Sequence, residues 1–570
     1  MTATPTTPET VTYDPTHFHT HEELTDLLGA WAAVYPALMA FTSIGQSYEH
    51  RDIWAATVTN TATGPAHEKP ALYVDGNMHA GEVTGCAVAL HTLHHLLTRY
   101  GTDAAITDLL DTHTLYILPR VNPDGAEKYL TTPYMLRSSV RPYPDAELDE
   151  GLTPEDLDGD GRILQMRVPD AKGEWKISTH DPRLMLKRAP GDAGGQYYRV
   201  YTEGRLNKYL HGPVKVAKPL EGLDINRNYP GNWSATQRGG GQYPLSEPET
   251  RAVAAFVVAH PNICAILNYH TTGGVNLSPP CATSDATMPL KDREVYKALG
   301  ALAAEASGYP YISVYDAYPA VDERGTRSAA GGFIEWAWEG LGIWGLAPEL
   351  WDIVGKAGVT FPDIKQKLLH DPSEEEGLAL LKFNDEQLGG EGYIDWHTFD
   401  HPQLGPVEIG GWWAKRVRQN APPQFLPEEE EKYTQFTLTY AALTPRVQVG
   451  TTEVEAVAPG LWIVRAMIEN TGWLPTHLSE RAVRNDVARP VKVRIEGGEV
   501  LMGTPETEIG NLEGRSVTTG TMFAFGPGAR ADNEHLVEWL VRVPDGMTQV
   551  TITAVSEKGG THRVTVPLMS

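Results

Sequence analysis

The sequence predicts two folds in tandem, an α/β domain to about residue 418 and an all-β sandwich from about residue 436. Three observations carry this. Up to Val417, short apolar runs alternate with helical patterns, the rhythm of a sheet flanked by helices. Beyond Gln435 the hydrophobic period shifts to two between Gly and Pro turns, as in a sandwich of roughly 130 residues. Between them QNAPPQFLPEEEEKYTQ (Gln419–Gln435), with paired prolines and an acidic run, reads as a solvated linker.

The elements follow in order. Residues 1–20 are polar and Thr/Pro-rich, a flexible arm, and the α/β domain is read over 21–418. ALYVDGN (Ala71–Asn77), LYILPR (Leu115–Arg120), ICAILNYH (Ile263–His270) and IWGLAPEL (Ile343–Leu350) read as buried strands. Glu82 to Tyr100 is a continuous helical pattern. SEPETRAVAAFVVAH places Ser246 and Glu249 at capping-box spacing before an apolar helix. A stretch rich in Pro, Asp, Gly and Arg, about 129–220, breaks the rhythm as an inserted lobe, and 271–330 is loop-rich. After the linker, FTLTYAAL, LWIVRAMIEN, VKVRI, VTITAV and HRVTVPL read as sandwich strands.

Composition narrows the function classes. The 570 residues are 41% hydrophobic and 21% charged, as in soluble globular proteins. No run of about 18 apolar residues predicts a membrane span. The first residues carry neither the basic start nor the apolar stretch of a signal peptide, so a cytoplasmic location is expected. Cys86, Cys264 and Cys281 are too few and scattered for a disulfide framework or a thiolate site, which leaves metal binding to His and carboxylates. A formal charge of −26 argues against a phosphate-backbone surface, so nucleic acid is not an expected partner. Composition leaves the oligomeric state unread.

HAGE sets His79 and Glu82 three residues apart, after a predicted strand and at the entry to a helix, where i and i+3 share a face. With 20 His in the chain an H-x-x-E match arises about once by chance. Position raises its weight, because the carboxyl ends of parallel strands are where open α/β sheets place their sites. His270 ends the third apolar strand at the corresponding edge, although by itself it fits a packed core histidine better. Two imidazoles and one carboxylate leave a tetrahedral position open, as in a catalytic zinc site. Glu349 in LAPELW sits among Leu346, Leu350 and Trp351, where burial raises a carboxylate's pKa toward a general base's range. Taken alone it reads equally as a surface Glu opening a helix after Pro348.

HAGE, NPDG (Asn122–Gly125), DINRNYP (Asp224–Pro230), SEPET, His270 and GGFIEW…PEL, in that order over about residues 45–415, resemble the zinc metallocarboxypeptidases of the carboxypeptidase A type. The resemblance implies a carboxypeptidase-like α/β/α sandwich around a mixed eight-stranded sheet, one catalytic Zn2+, and removal of a C-terminal residue from a peptide. Residue by residue it implies His79, Glu82 and His270 as zinc ligands and Glu349, fifteen residues after Ile334, as the catalytic glutamate. It implies Asn226 and Arg227 as the pair holding the substrate's carboxylate, a role suited to an Arg fork. Arg137, twelve residues after Gly125, falls at the oxyanion-stabilising arginine, with Arg120 and Arg141 close by in sequence. Ile334 falls at the pocket floor.

The sequence also departs from that pattern. The substrate-capping tyrosine is replaced by Arg327, with Tyr315 and Tyr318 in the same loop and Arg324 nearby. Ile334 favours an apolar C-terminal side chain, and Arg324 and Arg327 an acidic one. Gly81 stands where many digestive members carry Arg. SIGQSYEHRDIWAATVTN resembles the first hairpin of the catalytic domain and not a propeptide. An enzyme made active needs restricted access, so the 129–220 lobe and the C-terminal sandwich are candidates for narrowing the approach to the site.

Three smaller motifs complete the reading. In EDLDGDGRILQMR, Asp156, Asp158, Asp160 and Gly161 match positions 1, 3, 5 and 6 of a Ca2+ loop, but Arg167 stands where a bidentate Glu is needed; an acidic Asp-Gly turn is the alternative. His91, His94 and His95 lie mid-helix without a carboxylate partner and read as packing or surface. Glu428–Glu431 reads as solvated linker. Two other functions stay open: a zinc amidase of the same fold acting on a γ-glutamyl, cell-wall or acylamino-acid amide, and a non-catalytic binding protein.

Overall fold

The computed structural model describes residues 11–143, 150–208, 214–237, 239–321, 329–369, 372–516 and 532–568. Four buried parallel strands form its centre, in the order Thr114–Leu118, Ala71–Asp75, Ile263–Asn268, Trp344–Leu350. All but one residue of these segments are fully buried, which is why they read as unbroken apolar runs rather than alternating ones. Met39–Gln46 and Asp52–Val58 extend one edge antiparallel, and Val275–Ser278 and Tyr311–Ser313 extend the other. That path holds eight strands, and the two-residue strand His270–Thr271 pairs beside Trp344–Leu350. Helices Val83–Arg99, Leu290–Ser307 and Leu426–Ala442 pack together as one layer. Phe256 and Phe333, from helices Pro248–Ala259 and Phe333–Leu341, meet Tyr73 of the sheet.

The expected capping box at Ser246 and Glu249 does not form. Pro248 opens the helix with Glu247 at its N-cap, so Ser246 lies one residue too early and donates to the Glu247 carboxylate. Glu249 instead accepts from Tyr48 N of the first hairpin.

The expected linker is corrected more deeply. Leu426–Ala442 is a helix, and it includes FTLTYAA, which alternates like a strand. Tyr433, Phe436 and Tyr440 stand at i, i+3 and i+7, so one helical face carries all three into the main core. Tyr269 donates to Tyr433 O (3.2 Å) and Tyr440 to Trp344 O (3.0 Å), fixing the helix against the central strands. The sandwich strands therefore begin at Val447, not at residue 436. Glu429 and Glu430, read as solvated, are fully buried. Residues 11–20 of the expected arm also pack: Tyr13 stands 5.0 Å from the His94 ring and donates to Glu430 Oε1 at 3.3 Å. Residues 1–10 lie outside the described residues.

Burial, and after it the charge of Asp14, pushes the Glu430 carboxyl up to about 9, against the lowering effect of the Tyr13 hydrogen bond. An unfolded glutamate titrates near its ordinary value. The native state therefore holds an extra proton between that value and about 9, and the group's stabilisation, full below the window, is lost as pH rises through it. We expect the melting temperature to drop between pH 6 and pH 9, and Glu430→Gln to shrink that drop by roughly 1–3 °C. An unchanged pH slope in the variant would count against the assignment.

The inserted lobe is an antiparallel sheet of six strands, two of them from well outside 129–220. Tyr393–His401 and Gly405–Trp412 pair onto Gln165–Pro169, followed by Tyr198–Thr202, Trp175–Ile177 and Met185–Lys187. The short helix Ala414–Val417 then leads back to the central sheet, where Asn420 Nδ2 donates to Gly81 O at 2.7 Å. The C-terminal sandwich packs four strands on four and docks at the opposite end. Lys558 Nζ donates to Pro261 O and Ile263 O, and Arg563 pairs with Glu68, all where the central strands begin. Since the parallel strands then run about 15–20 Å toward their carboxyl ends, these contacts hold the described part of the sandwich at the end away from the HAGE loop. Ala80 N of that loop donates instead to Arg137 O, near the start of the inserted stretch, at 3.3 Å.

Candidate metal centre and active site

The first two residues of the centre come from a turn, not from the helix itself. Asn77, at φ +56, reverses the chain after Ala71–Asp75, and Glu82 N donates to His79 O at 3.1 Å. Glu82 is the N-cap residue of Val83–Arg99. The third, His270, follows the neighbouring strand. His79 Nδ1 lies 2.8 Å from Glu82 Oε1, His270 Nδ1 2.9 Å from Glu82 Oε2, and the two Nδ1 atoms are 3.1 Å apart. One ligand atom from each residue falls within 4.8 Å of the others, and all three residues are buried.

The outward nitrogens are held as well. His79 Nε2 meets Asp224 Oδ1 at 3.1 Å, and His270 Nε2 lies 2.6 Å from Asn268 Oδ1 and 3.2 Å from Asn226 Nδ2. An acceptor on Nε2 favours the tautomer that leaves Nδ1 free to bind a metal. The donor set, two imidazole nitrogens and one carboxylate with supported rings, fits Zn2+. Asp224 and Asn268 were not singled out from the sequence. The signals were there: Asp224 heads DINRN, and Asn268 stands two residues before His270, on the same face of the chain.

Glu349 lies in Trp344–Leu350, in parallel register with His270 on the adjacent chain segment. It belongs to a strand and does not open a helix. Tyr318 donates to Glu349 Oε1 at 3.2 Å. Burial, and then the Glu82 charge, raises the Glu349 carboxyl. Burial also works to raise Glu82, but the charge and hydrogen bonds of His79 and His270 outweigh it and hold that carboxyl far below the usual range.

Of the three arginines near the 137 position, only Arg137 reaches the cluster. Its guanidinium bonds Asp224 Oδ2 (2.9 and 3.1 Å) and approaches Glu82 Oε1 at 3.4 Å, with the side chain half-exposed. Arg120 is buried on Asn77 Oδ1 and His19 O, and Arg141 Nη1 donates to both carboxylate oxygens of Glu247. Asn226 and Arg227 lie on the short helical turn Ile225–Arg227, with Asp224 accepting from Asn226 N. Asn226 Oδ1 accepts from Phe333 N (2.9 Å), which ties this turn to the GGFIEW segment. Gly331 permits the approach: its φ is +76, and an added Cβ would stand 2.5 Å from Arg227 O. Ile334 is buried, packed against Gly345. Arg324 and Arg327 lie outside the described residues. Over Gly81 sits the Gln419 amide, within 2.5 Å of where a Cβ would be, so this space is filled from the supposed linker.

The three aspartates of the expected Ca2+ loop do not converge. Asp156 and Asp158 lie with the buried Glu203, whereas Asp160 turns to Arg162. Asp156 accepts from Gly159 N and Gly161 N, Glu203 from Leu157 N and Leu164 N, and Arg167 forks onto Glu408. The segment is an Asp-Gly turn whose carboxylates satisfy backbone N–H groups, and nothing in it supports calcium. The mid-helix histidines are packing, with His91 Nδ1 on Thr434 Oγ1 at 2.9 Å. No described helix is long and apolar enough to cross a membrane.

The sequence model of the zinc carboxypeptidase family (peptidase M14) matches residues 24–365, and that of a domain of unknown function (DUF8731) matches 446–567. Carboxypeptidase A2 of Rattus norvegicus is 37% identical over 122 residues, 21% of this chain and 28% of its own length. The zinc carboxypeptidase of Saccharothrix mutabilis subsp. capreolus is 30% identical over 117 residues, 20% of this chain and 27% of its own. The matched segments thus span about a quarter of these relatives. The crystal structure of the carboxypeptidase A from Helicoverpa armigera aligns with a TM-score of 0.38 at 17% identity, covering 67% of this chain and 76% of that one.

Proposed function

This chain belongs to the zinc carboxypeptidase family, and on that footing we propose that it removes the C-terminal residue of a peptide with His79, Glu82 and His270 as zinc ligands. The observation that carries the reading is the convergence of both Nδ1 atoms on one carboxylate, with Glu349 in register beside His270. A zinc ion bound there supplies a Lewis acid for the scissile carbonyl and lowers the pKa of water.

The chain's own residues do the rest. Glu349 takes a proton from the attacking water and passes it to the leaving nitrogen, with Tyr318 holding its Oε1. Arg137, at the mouth of the cluster, offers its charge to the developing oxyanion. Arg227 and Asn226 hold the terminal carboxylate and so fix which bond is presented. Ile334 underlies the pocket for the departing side chain.

Matched peptides with free and amidated C-termini test this, with products identified by mass. Release of single C-terminal residues is expected about 100- to 1000-fold faster from the free form than from the amidated one. Equal rates on both forms would remove the anchoring role of Asn226 and Arg227 and favour an amidase acting on small amides.

A further inference from the structure

We propose that Glu429 is a positioning residue for Glu349, which makes the helix Leu426–Ala442 part of the catalytic unit although it lies beyond the matched residues 24–365; this rests on Glu349 being the general base.

A carboxylate buried within an acidic run needs a physical reason, because desolvating a charge is unfavourable unless it is paired and hydrogen-bonded. Glu429 is 0% exposed and both its oxygens are engaged. Tyr309 donates to Oε1 at 2.6 Å, Trp351 N donates to Oε2 at 3.1 Å, and Lys432 Nζ supplies the countercharge at 3.3 Å from Oε1. Trp351 directly follows the Glu349 strand, two positions beyond Glu349. Its φ is +66, a left-handed conformation that a bulky aromatic adopts only when its surroundings impose it.

Those surroundings can be named. Trp351 O accepts from Gly273 N and Thr272 Oγ1, both at 3.0 Å, in the segment that leaves His270. Its indole donates to Val417 O at 2.8 Å. Glu429 supplies the acceptor for its backbone N–H. Tyr309, the other partner of Glu429, packs on Gly274, where an added Cβ would come within 3.0 Å of its ring. Glu429 thus clamps together the two chain segments that leave His270 and Glu349. Losing the clamp frees the turn after Glu349, and a displacement of about 1 Å at a reacting group can cost about 100-fold in rate.

The test uses the full chain carrying Glu429→Ala, Glu429→Gln or Tyr309→Phe, with zinc content, kcat and KM measured on a free-carboxylate peptide. Glu429→Ala is expected to keep its zinc and a KM within about twofold, and to lose kcat by about 10- to 100-fold. Glu429→Gln, which retains an acceptor for Trp351 N, is expected to return to within about threefold of wild type, and Tyr309→Phe to fall about three- to tenfold. A zinc-loaded Glu429→Ala with full kcat overturns the proposal, as does a Gln variant no better than Ala. If Glu429→Ala does not fold, Tyr309→Phe decides, and an unchanged kcat there overturns it. Glu349→Gln in the same series separates the two readings. Activity in that variant removes the base assignment itself, whereas its inactivity beside fully active Glu429 variants removes only the positioning role.

Discussion

Glu349→Gln will keep its zinc and lose turnover by about a thousandfold or more, because the amide fills the same space but cannot accept the proton of the attacking water. The expectation rests on placement. Glu349 is beside the metal cluster without belonging to it, and in register with His270. Removing it should therefore leave the ligand set intact. Tyr318→Phe keeps the carboxylate and removes only the hydroxyl at 3.2 Å, so its kcat should fall about tenfold, between the two. Metal analysis and kcat on one preparation check both. Turnover within tenfold of wild type in the Gln variant would end the general-base assignment.

Arg227→Met is expected to lower kcat/KM about 100- to 1000-fold on peptides with a free C-terminus and to leave amidated peptides unchanged. A hydrogen-bonded charge pair withdrawn from water loses about 3–4 kcal/mol when one partner goes, which corresponds to that range. The geometry leaves Arg227 oriented by its own turn, with Nη1 on Asn226 O at 2.7 Å and Asp224 at 4.0 Å. Asn226 in turn is fixed by Phe333 N. A loss of the same size on both peptide forms would mean that Arg227 supports the site and does not bind the carboxylate.

What was legible in the sequence follows from how local each signal is. The central strands are short, apolar and fully buried, so composition alone located them to within two residues. His79, Glu82, His270 and Glu349 are weak signals one by one; the resemblance carried by the order of their motifs made them readable as a set, and the structure brings them together. Leu426–Ala442 was missed because Phe-Thr-Leu-Thr-Tyr alternates in period two while Tyr433, Phe436 and Tyr440 also satisfy a helical face. Tertiary burial, which no local window contains, decides between them. The same holds for Glu429 and Glu430, whose partners Tyr309, Trp351 and Tyr13 are 78 to 417 residues distant. At the aspartate loop the sequence left two readings open, a metal loop and an acidic Asp-Gly turn, and the structure shows the turn. Its spacing matched a metal motif, but Asp160 satisfies its own turn and Arg167 binds Glu408.

Zinc titration of the chelated full chain tests the central claim most directly, with hydrolysis of a free-carboxylate peptide as the readout. The account predicts no activity without metal, a linear recovery that breaks at about one zinc per chain, and no recovery in His270→Ala. Full hydrolysis after zinc has been removed, or equal recovery in His270→Ala, would contradict it.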